Sequence, residues 1–425
     1  MNTVHTLQKK AIRDEFDIIV AGGGLAGVMA AVSASREGMR VLLVEKHGFL
    51  GGMATAGLVN PFMAFREKGS RNLANAGLFT DLLKRIHEIG GSKDEMASSY
   101  MEEFMKIVLD RYTKEYNIKV LLHSKVCDVT KDGSLVKNIT VATISGLIKL
   151  SAPIFIDATG NADLSAFAGL EYKLGRESDG LCQPMTLCFR LGNVDWSRYD
   201  RATATTLYKE KQAQGLIINP REDILVFRLP VDNVMHLNTT RIVNRDPTDV
   251  EDLTWAEQTA REQVLEMYRF MKNNIDGMQE CELIESAPEI GIRESRRILG
   301  RYEISREDLL NTVKFDDSVA RGVYEIDIHN PAGGGTHHER IPENDYYTIP
   351  YRAMLPVKAD NLIVAGRSIS SSHEAHSAFR VMPITTCIGE GAGVAASLAV
   401  KSDCTCADVD ITKLRDILNS HGALT

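Results

Sequence analysis

Residues 17–45, DIIVAGGGLAGVMAAVSASREGMRVLLVE, decide the fold expected of this chain. An apolar strand leads into the glycine turn of residues 22–24, a helix of small residues follows, and a second apolar strand ends at Glu45. A dinucleotide-binding βαβ unit has this order of strand, glycine turn, helix, strand and acid. The segment therefore predicts a bound dinucleotide, with Glu45 placed to accept hydrogen bonds from both hydroxyls of a ribose.

The glycines of this unit have separate tasks. Gly22 permits the tight turn, Gly24 lets the backbone approach a pyrophosphate, and Gly27 lets the helix pack closely on the strand. The helix begins near Leu25 and Ala26, where unpaired N–H groups and a partial positive charge are offered to the pyrophosphate. All five residues are predicted to bind the cofactor.

Length and charge narrow the class of protein. A chain of 425 residues is long enough for two domains. The formal net charge is −8, the pI is about 5.8, and no long run of lysine or arginine occurs. Because binding to phosphate backbones requires a basic face, we expect no nucleic acid partner.

Neither a secretory signal nor a membrane span is expected. Residues 1–16 are too polar for a signal peptide, and the weakly polar stretch 385–400 is interrupted by Glu390, glycine and serine. The seven cysteines form no CxxC pair, which argues against a disulfide framework and fits a reducing cytoplasm. The sequence therefore predicts a cytoplasmic protein with no membrane partner.

Apolar patterning divides the chain into three parts. Helices are predicted over residues 72–89, 96–116 and 253–271, and strands over 118–122, 126–130, 135–142, 146–150, 153–157, 185–191 and 224–229. The glycine-punctuated pattern stops near residue 171 and returns near 346, with a strand over 361–365 and a small-residue helix over 389–400. The dinucleotide-binding domain is therefore predicted to comprise residues 1–170 and 346–425, with residues 171–345 as an inserted substrate domain.

Six further segments carry a resemblance to a known family. They are AGGGLAG (21–27), EKHGFLGGMATAG (45–57), FIDATGNAD (155–163), IRESRRILGRY (292–302), YTIPYRAMLPVKADNLIVAGRSIS (347–370) and SAFRVMPITTCIGEGAGVAA (377–396). Together they resemble the bacterial FAD-dependent oxidoreductase family of the glutathione-reductase-like, two-dinucleotide-binding flavoprotein superfamily. The chain is more distantly similar to fumarate reductase flavoproteins and to tRNA-modifying flavoproteins.

The resemblance implies an α/β fold, in which a Rossmann-like, glutathione-reductase-like FAD-binding domain carries an inserted α+β substrate domain. It implies FAD as the cofactor and adds contacts to the flavin, ribityl or adenosine parts at Lys46, Gly51, Gly52, Met53, Ala54, Val126, Ala158, Thr159, Gly160, Gly366, Arg367 and Gly391. Gly391 is expected to begin a helix whose positive end faces the flavin. Arg367 stands where relatives place an acid.

Candidate catalytic residues lie between the two C-terminal cofactor segments. His373 and His376 could pass a proton to or from the substrate, or could only hydrogen-bond the backbone or the flavin. Arg380 could anchor a substrate carboxylate or balance reduced flavin. A salt bridge from Arg380 to Glu390 or to another acid is the alternative.

The insert contributes candidate substrate residues. The glycine-rich loop of residues 327–338 is predicted as a lid or as an exposed connector, with His329 and His337 as substrate contacts. Arg293 and Arg296 are expected to join an ion-pair network between the two domains, with substrate binding by Arg293 as the alternative. No metal site is predicted, because adjacent histidines rarely bind one ion.

These features predict an FAD-dependent oxidoreductase that transfers a hydride between flavin N5 and a small organic substrate. No second GxGxxG unit occurs, so no NAD(P)H domain is expected, and the electron donor or acceptor is unknown. A non-catalytic FAD-fold binding module and a tRNA-modification flavoprotein are the alternative functions. A homodimer is the default expectation for the assembly.

Overall fold

The structure, a computed structural model, describes residues 15–425. The prediction that residues 1–16 form no signal peptide falls mostly on residues 1–14, which lie outside the described residues. In chain order the strands are β1 (Ile18–Ala21), β2 (Val41–Val44), β3 (Lys119–Leu121), β4 (Lys125–Asp132), β5 (Leu135–Thr143), β6 (Gly146–Leu150), β7 (Ile154–Asp157), β8 (Tyr172–Leu174), β9 (Phe189–Gly192), β10 (Val226–Arg228), β11 (Met235–Leu237), β12 (Glu282–Ser286), β13 (Arg296–Ile298), β14 (Ser318–Gly322), β15 (Ile326–His329), β16 (Thr336–Glu339), β17 (Tyr347–Pro350) and β18 (Leu362–Val364). The α-helices are α1 (Leu25–Arg36), α2 (Leu78–Glu88), α3 (Glu102–Glu115), α4 (Asp163–Phe167), α5 (Arg201–Ala213), α6 (Val250–Asn274), α7 (Arg306–Leu310), α8 (His373–Phe379), α9 (Met382–Ser402) and α10 (Ile411–Ser420).

A five-stranded parallel sheet forms the centre of the dinucleotide-binding part, in the order β18-β7-β1-β2-β3. β1, β2, β7 and β18 are buried along their whole length, which explains why they are apolar throughout, apart from Asp157 at the end of β7. The strand nearest the C-terminus therefore pairs with β7 and completes the sheet begun at residue 18. The predicted α/β, Rossmann-like fold is confirmed.

Helix α9 packs against α1 at very short distance. A Cβ atom at Gly389 would collide with the carbonyl oxygen of Ala26, and one at Gly393 would collide with the carbonyl oxygen of Ala30. The expected helix start near Gly391 is wrong, because α9 begins at Met382 with a proline in its first turn. The glycines at 389, 391 and 393 are contact points between packed elements, and they do not break the helix.

The insert has its own hydrophobic core. The antiparallel sheet β10-β11-β9-β12 packs with α5 and α6, and α6 contains the whole predicted helix of residues 253–271. The strands predicted at 185–191 and 224–229 are shorter in the structure, as β9 and β10. Side chains from Ile298 to Tyr347 join the larger core around α1 and α9. The domain boundaries of residues 170 and 345 stay predictions.

Within residues 15–425, α9 is the one helix long and apolar enough to cross a membrane by length and composition. However, 94% of its most apolar window is buried inside the protein. A core helix of a folded domain passes the same test, and the contacts of α9 with α1 and with the central sheet account for its composition.

We expect Gly393→Ala to lower the free energy of unfolding by about 1–3 kcal/mol, because the added methyl group forces α1 and α9 apart. Urea denaturation of purified protein measures the change. Gly333→Ala is the control, since a Cβ atom there would meet only Asn330 Nδ2, at 3.8 Å. Equal unfolding midpoints for the two variants would contradict the proposed close approach.

Candidate functional site

Two glycine turns face each other at the N-terminus of α1. Gly22 has φ 100° and Gly51 has φ 114°, conformations that favour glycine. A Cβ atom at Gly27 would collide with the carbonyl oxygen of Gly22, so helix and strand touch there. At Gly24 the space is open, with Gly52 Cα as the nearest atom at 3.9 Å from a Cβ. The structure thus forms an open cradle lined by backbone.

The first turn of α1 begins at Gly24, its N-cap residue. Within residues 15–425, no side chain accepts a hydrogen bond from the amides that follow Gly24. Leu25 and Ala26 are buried in this turn, as expected of residues that offer only their backbone. The unpaired N–H groups and the helix dipole can receive a pyrophosphate here.

A cavity of about 250 Å³ continues from this cradle along the carboxyl ends of the central strands. Its lining includes the predicted residues Gly22, Glu45, Lys46, Val126 and Thr159. The insert closes the other side with residues 247–250 and 289–292. The cavity therefore combines the expected adenosine site with a wall from the insert.

Backbone bonds hold the turn after β7 against β1. The amide of Ala158 donates to Ala21 O at 2.8 Å, and the hydroxyl of Thr159 donates to Asp157 Oδ1 at 2.7 Å. Gly160 has φ 79° and its carbonyl accepts hydrogen bonds from Ser295 and Ser368. Gly160 therefore lies where the insert and the C-terminal segment meet.

The carboxylate of Glu45 is already engaged by the protein. Its oxygens accept from Gly23 N at 2.6 Å, from His47 N at 2.8 Å and from His47 Nδ1 at 3.0 Å. A carboxylate offers about four acceptor positions. One position remains for a ribose hydroxyl beside these bonds, and acceptance from both hydroxyls by Glu45 stays a prediction.

Glu289 of the insert bonds two residues that follow Glu45. Its Oε2 lies 2.6 Å from Lys46 Nζ and 3.2 Å from His47 Nε2. The hydrogen bond with Glu289, followed by that with Glu45, raises the pKa of His47 to about 9. Burial alone would raise the pKa of Glu289, but His47 and Lys46 together lower it to about 2. This charged cluster fixes the insert over the cofactor cavity.

A second cavity, of about 340 Å³, lies on the other side of Ile292, which lines both cavities. Predicted cofactor residues Met53 and Arg367 line it, together with Val381 and Met382 at the start of α9. The positive end of the helix dipole expected near the flavin is therefore at Met382. Gly391 lies nine residues further along α9, about 13 Å from that end, and packs against β14.

Arg367 lies in the turn after β18, and its side chain extends between the two cavities. Gly366 has φ 90°, and Arg367 Nη2 donates to Asn161 Oδ1 at 2.9 Å. Arg367 Nε is buried and has no hydrogen-bond partner among residues 15–425. Burial lowers the pKa of Arg367 to about 10, so it stays charged at neutral pH. A buried donor of this kind can serve a bound cofactor or ligand.

The structure places His373 and His376 away from both cavities. His373 Nδ1 lies 2.9 Å from the buried carboxylate of Glu294, which also pairs with Arg297. His376 is 1% exposed and packs edge-on against Phe379. Burial and then the charge of Arg297 hold the pKa of His376 well below its usual value. The structure does not bring these two predicted residues to either cavity, because α8 turns both toward the interior.

Side chains along the paired strands β15 and β16 alternate between two faces, and one of these faces supplies polar residues to the second cavity. Asp327 and His329 of β15 line it, as do Thr336 and His338 of β16. His337 lies on the opposite face, has a side chain 65% exposed, and pairs with Glu339. The structure therefore does not bring His337 into this cavity, because neighbouring residues of a strand face opposite sides. His338 lines the cavity instead.

His329 is held neutral at the back of this cavity. Arg241 Nη2 lies 2.9 Å from its Nδ1, and its Nε2 lies 3.5 Å from Asp327 Oδ2. Burial, followed by the charge of Arg293, lowers the pKa of His329 to about 3. Arg241 also donates to the carbonyls of residues 333 and 335, so it anchors the glycine-rich loop.

The arginines of residues 293–297 divide between two roles. Arg296 pairs with Asp163 at 2.9 Å, which confirms an ion pair between the insert and the dinucleotide-binding part. Arg293 makes no ion pair among the described residues, and it lines the second cavity instead. Arg380 also lines this cavity, and the nearest acid is Asp327, with Oδ2 at 3.9 Å from Nη2. Glu390 is the other acid expected as a partner of Arg380. It forms an ion pair with Arg36, whose Nη1 lies 3.9 Å from Glu390 Oε1.

Sequence reasoning missed several polar side chains of the second cavity, among them Arg221, Tyr324 and His338. Arg221 lies in a loop before β10, and Tyr324 lies just before β15, where its hydroxyl donates to Asp327 Oδ2 at 2.8 Å. Strand alternation could have found His338, but no local pattern marks Arg221. Among residues 15–425, no group of three or more histidine, cysteine, aspartate or glutamate side chains could hold a metal ion.

A known family matches most of the chain. The model of a family described as FAD dependent oxidoreductase matches residues 17–418. Dihydrolipoamide dehydrogenase of Chaetomium thermophilum is 53% identical over 36 residues, 8% of this chain and 7% of that protein. Digeranylgeranylglycerophospholipid reductase of Methanosarcina acetivorans is 24% identical over 176 residues, 38% of this chain and 42% of that protein. The matches span less than half the length of either relative.

Solved structures show the same architecture at low sequence identity. The flavin-dependent brominase Bmp2 aligns with a TM-score of 0.51 at 13% identity, covering 95% of this chain and 83% of that chain. A geranylgeranyl bacteriochlorophyll reductase-like protein from Thermoplasma acidophilum aligns with a TM-score of 0.47 at 14% identity, covering 96% and 84%. The likeness to Bmp2 shows the fold alone.

The raised pKa of His47 predicts a pH dependence of stability. Folded protein keeps the proton up to about pH 9, whereas an unfolded histidine releases it near pH 6.5. The stabilisation, at most about 3 kcal/mol, is therefore complete below pH 6.5 and is lost as the pH rises to 9. Urea unfolding of the apoprotein at several pH values measures this loss. His47→Gln should remove it, whereas the surface variant His337→Gln should retain it.

Proposed function

The chain belongs to the FAD dependent oxidoreductase family, and from this premise we propose that it transfers a hydride between flavin N5 and a small organic substrate. FAD is the cofactor and supplies the redox chemistry when it is bound. The polypeptide has to bind and orient both molecules, exclude water and move a proton.

The residues fit this cofactor. The open space at Gly24, the uncapped start of α1 and the unpartnered Nε of Arg367 are features that a bound dinucleotide would use. The cradle and the first cavity would hold the pyrophosphate and adenosine parts. The start of α9 at Met382 would stabilise negative charge on the reduced ring system.

The observation that carries the proposal is the second cavity and its position. It shares Ile292 with the cofactor cavity, and its lining combines cofactor-binding segments with polar side chains of the insert. Its volume of about 340 Å³ suits a small molecule beside a flavin. Polar groups that converge on one enclosed space of this kind support catalysis over a non-catalytic binding module.

His338 is our candidate for proton transfer. Its Nδ1 lies 3.3 Å from Glu325 Oε1 and 3.7 Å from Asp327 Oδ1, and half of the side chain is exposed at the cavity. An imidazole held by carboxylates can accept a proton from a substrate and return it to solvent. Tyr324 bonds the same Asp327, which orients that carboxylate.

Finer features of the function are proposals. We place the protein among glutathione-reductase-like flavoproteins, in the cytoplasm, on the strength of the sequence segments quoted above. Its electron donor or acceptor lies outside this chain in our proposal, since residues 171–345 contain no second GxGxxG unit. The net charge of −8 speaks against the tRNA-modification alternative.

Anaerobic reduction tests the proposal directly. Purified holoenzyme is mixed with carboxylates, sugars and polyols, and loss of the flavin absorbance band is recorded. We expect one class to bleach the band, and a deuterium at the transferred position to slow the reaction. Bound FAD that neither substrates nor dithionite can reduce would instead support a binding module. Salt-dependent retention of tRNA would support the third function.

We expect His338→Gln to lower the rate of flavin reduction by about 10²–10⁴-fold at neutral pH, because the proton acceptor is lost. Stopped-flow absorbance measures this rate, with a compound that bleaches the flavin band in the anaerobic screen. His337→Gln is the matched control, since its side chain faces away from the cavity. If both variants reduce the flavin at the wild-type rate, the role of His338 is excluded.

A further inference from the structure

We propose that the substrate is a small monocarboxylate, held through its carboxylate by Arg293 and Arg380 and with its apolar part against the methionine-lined wall of the second cavity. This inference rests on the proposed function and names the substrate class of the same site. The free donors of the two arginines, the repulsion between them, the charge of the cavity and the composition of its wall carry the inference.

The guanidinium of Arg380 has no hydrogen-bond acceptor among the described residues. Its nearest acid is Asp327, and that contact of 3.9 Å is longer than a hydrogen bond. The side chain is only 15% exposed, and its Nε is buried without a partner. An enclosed guanidinium carries five N–H donors, so leaving it without acceptors is costly unless a ligand supplies them.

Arg293 is held in place by neutral groups. Its Nη1 donates to Pro184 O at 2.7 Å and to Thr186 Oγ1 at 2.5 Å, and its Nη2 donates to Asn238 Oδ1 at 3.3 Å. These bonds orient the guanidinium but do not neutralise it. Two of its five donors remain for a ligand.

The two arginines also repel each other. Burial, and then the charge of Arg380, lowers the pKa of Arg293 to about 9, so Arg293 stays charged at neutral pH. Two like charges inside one small cavity raise the energy of the free protein, and an anion between them relieves this repulsion. Planar guanidinium groups match a carboxylate in geometry, because both can form paired hydrogen bonds.

The charge of the cavity sets the charge of the ligand. Four arginines line it, at 221, 293, 367 and 380, against three acids, at 222, 223 and 327. One positive charge is therefore in excess, which matches a monoanion better than a dianion. The acids would also repel a second carboxylate or a phosphate dianion.

One part of the wall is apolar. Met53, Met63 and Met382 line it, together with Val59, Leu225, Phe227 and Val381. Unbranched methionines adapt to ligands of irregular shape. This part of the wall therefore suits a short aliphatic or aromatic tail.

Ligand binding to oxidised holoenzyme tests the inference without turnover. Butyrate, benzoate, succinate and inorganic phosphate are titrated, and the shift of the flavin absorbance spectrum gives a dissociation constant for each. We expect butyrate and benzoate to bind more tightly than succinate and phosphate. 1-Butanol, which has the tail without the carboxylate, should bind at least tenfold more weakly than butyrate.

We expect Arg293→Gln and Arg380→Gln each to weaken butyrate binding by about 10–100-fold, because each removes a charged hydrogen-bond donor. Arg293→Lys and Arg380→Lys should recover part of the loss. Arg352→Gln is the matched control, since Arg352 already lies 3.6 Å from Asp317 and does not line the cavity. FAD content and far-ultraviolet circular dichroism identify any variant that fails to fold. If a glutamine variant does not fold, the butyrate affinity of the corresponding lysine variant tests the inference.

Two outcomes would overturn the inference. The first is butyrate affinity unchanged in the glutamine variants together with a lowered flavin midpoint potential, which would assign the arginines to reduced flavin. The second is phosphate binding as tight as butyrate. Failure of the proposed function looks different, because butyrate would then bind in an arginine-dependent way while no carboxylate reduces the flavin.

Discussion

The rest of the structure depends on the close packing of α1 against α9. Glycines at 389 and 393 let α9 lie directly on the backbone of α1, so the two ends of the chain form one core. The N-terminus of α1 at Gly24 and that of α9 at Met382 are thereby both held at the cofactor groove. This contact therefore fixes the separation of the two helix N-termini, so that both helix dipoles could act on one cofactor.

Charged contacts hold the insert over that groove. Arg296 pairs with Asp163, and Glu289 pairs with Lys46 and His47. Removing one partner of an enclosed pair leaves an uncompensated charge, so such contacts specify position more than they add stability. The same reasoning explains the position of His373 in α8. Its ring contacts the buried carboxylate of Glu294 from the insert, so His373 helps to hold the insert against the C-terminal segment.

The second cavity has the opposite electrostatic character. Among residues 15–425, neither Arg293 nor Arg380 has a carboxylate at hydrogen-bond distance, whereas Arg296, a few residues from Arg293, has one. The cavity therefore encloses more positive than negative charge, which is costly for stability and useful for recognition of an anion. His338 also lines this cavity, and half of its side chain is exposed to solvent.

Local patterns in the sequence determined the βαβ unit and indicated a dinucleotide cofactor, because glycine spacing and apolar strands act over a few residues. The same patterns misplaced the start of α9 at Gly391 and chose His337 over His338. Helix packing and strand pairing decide those points, and both involve residues far apart in the chain. Only the tertiary structure brought Arg221, Arg293 and Arg380 to one cavity, since the placing of charges across an enclosed space leaves no mark on the neighbouring sequence.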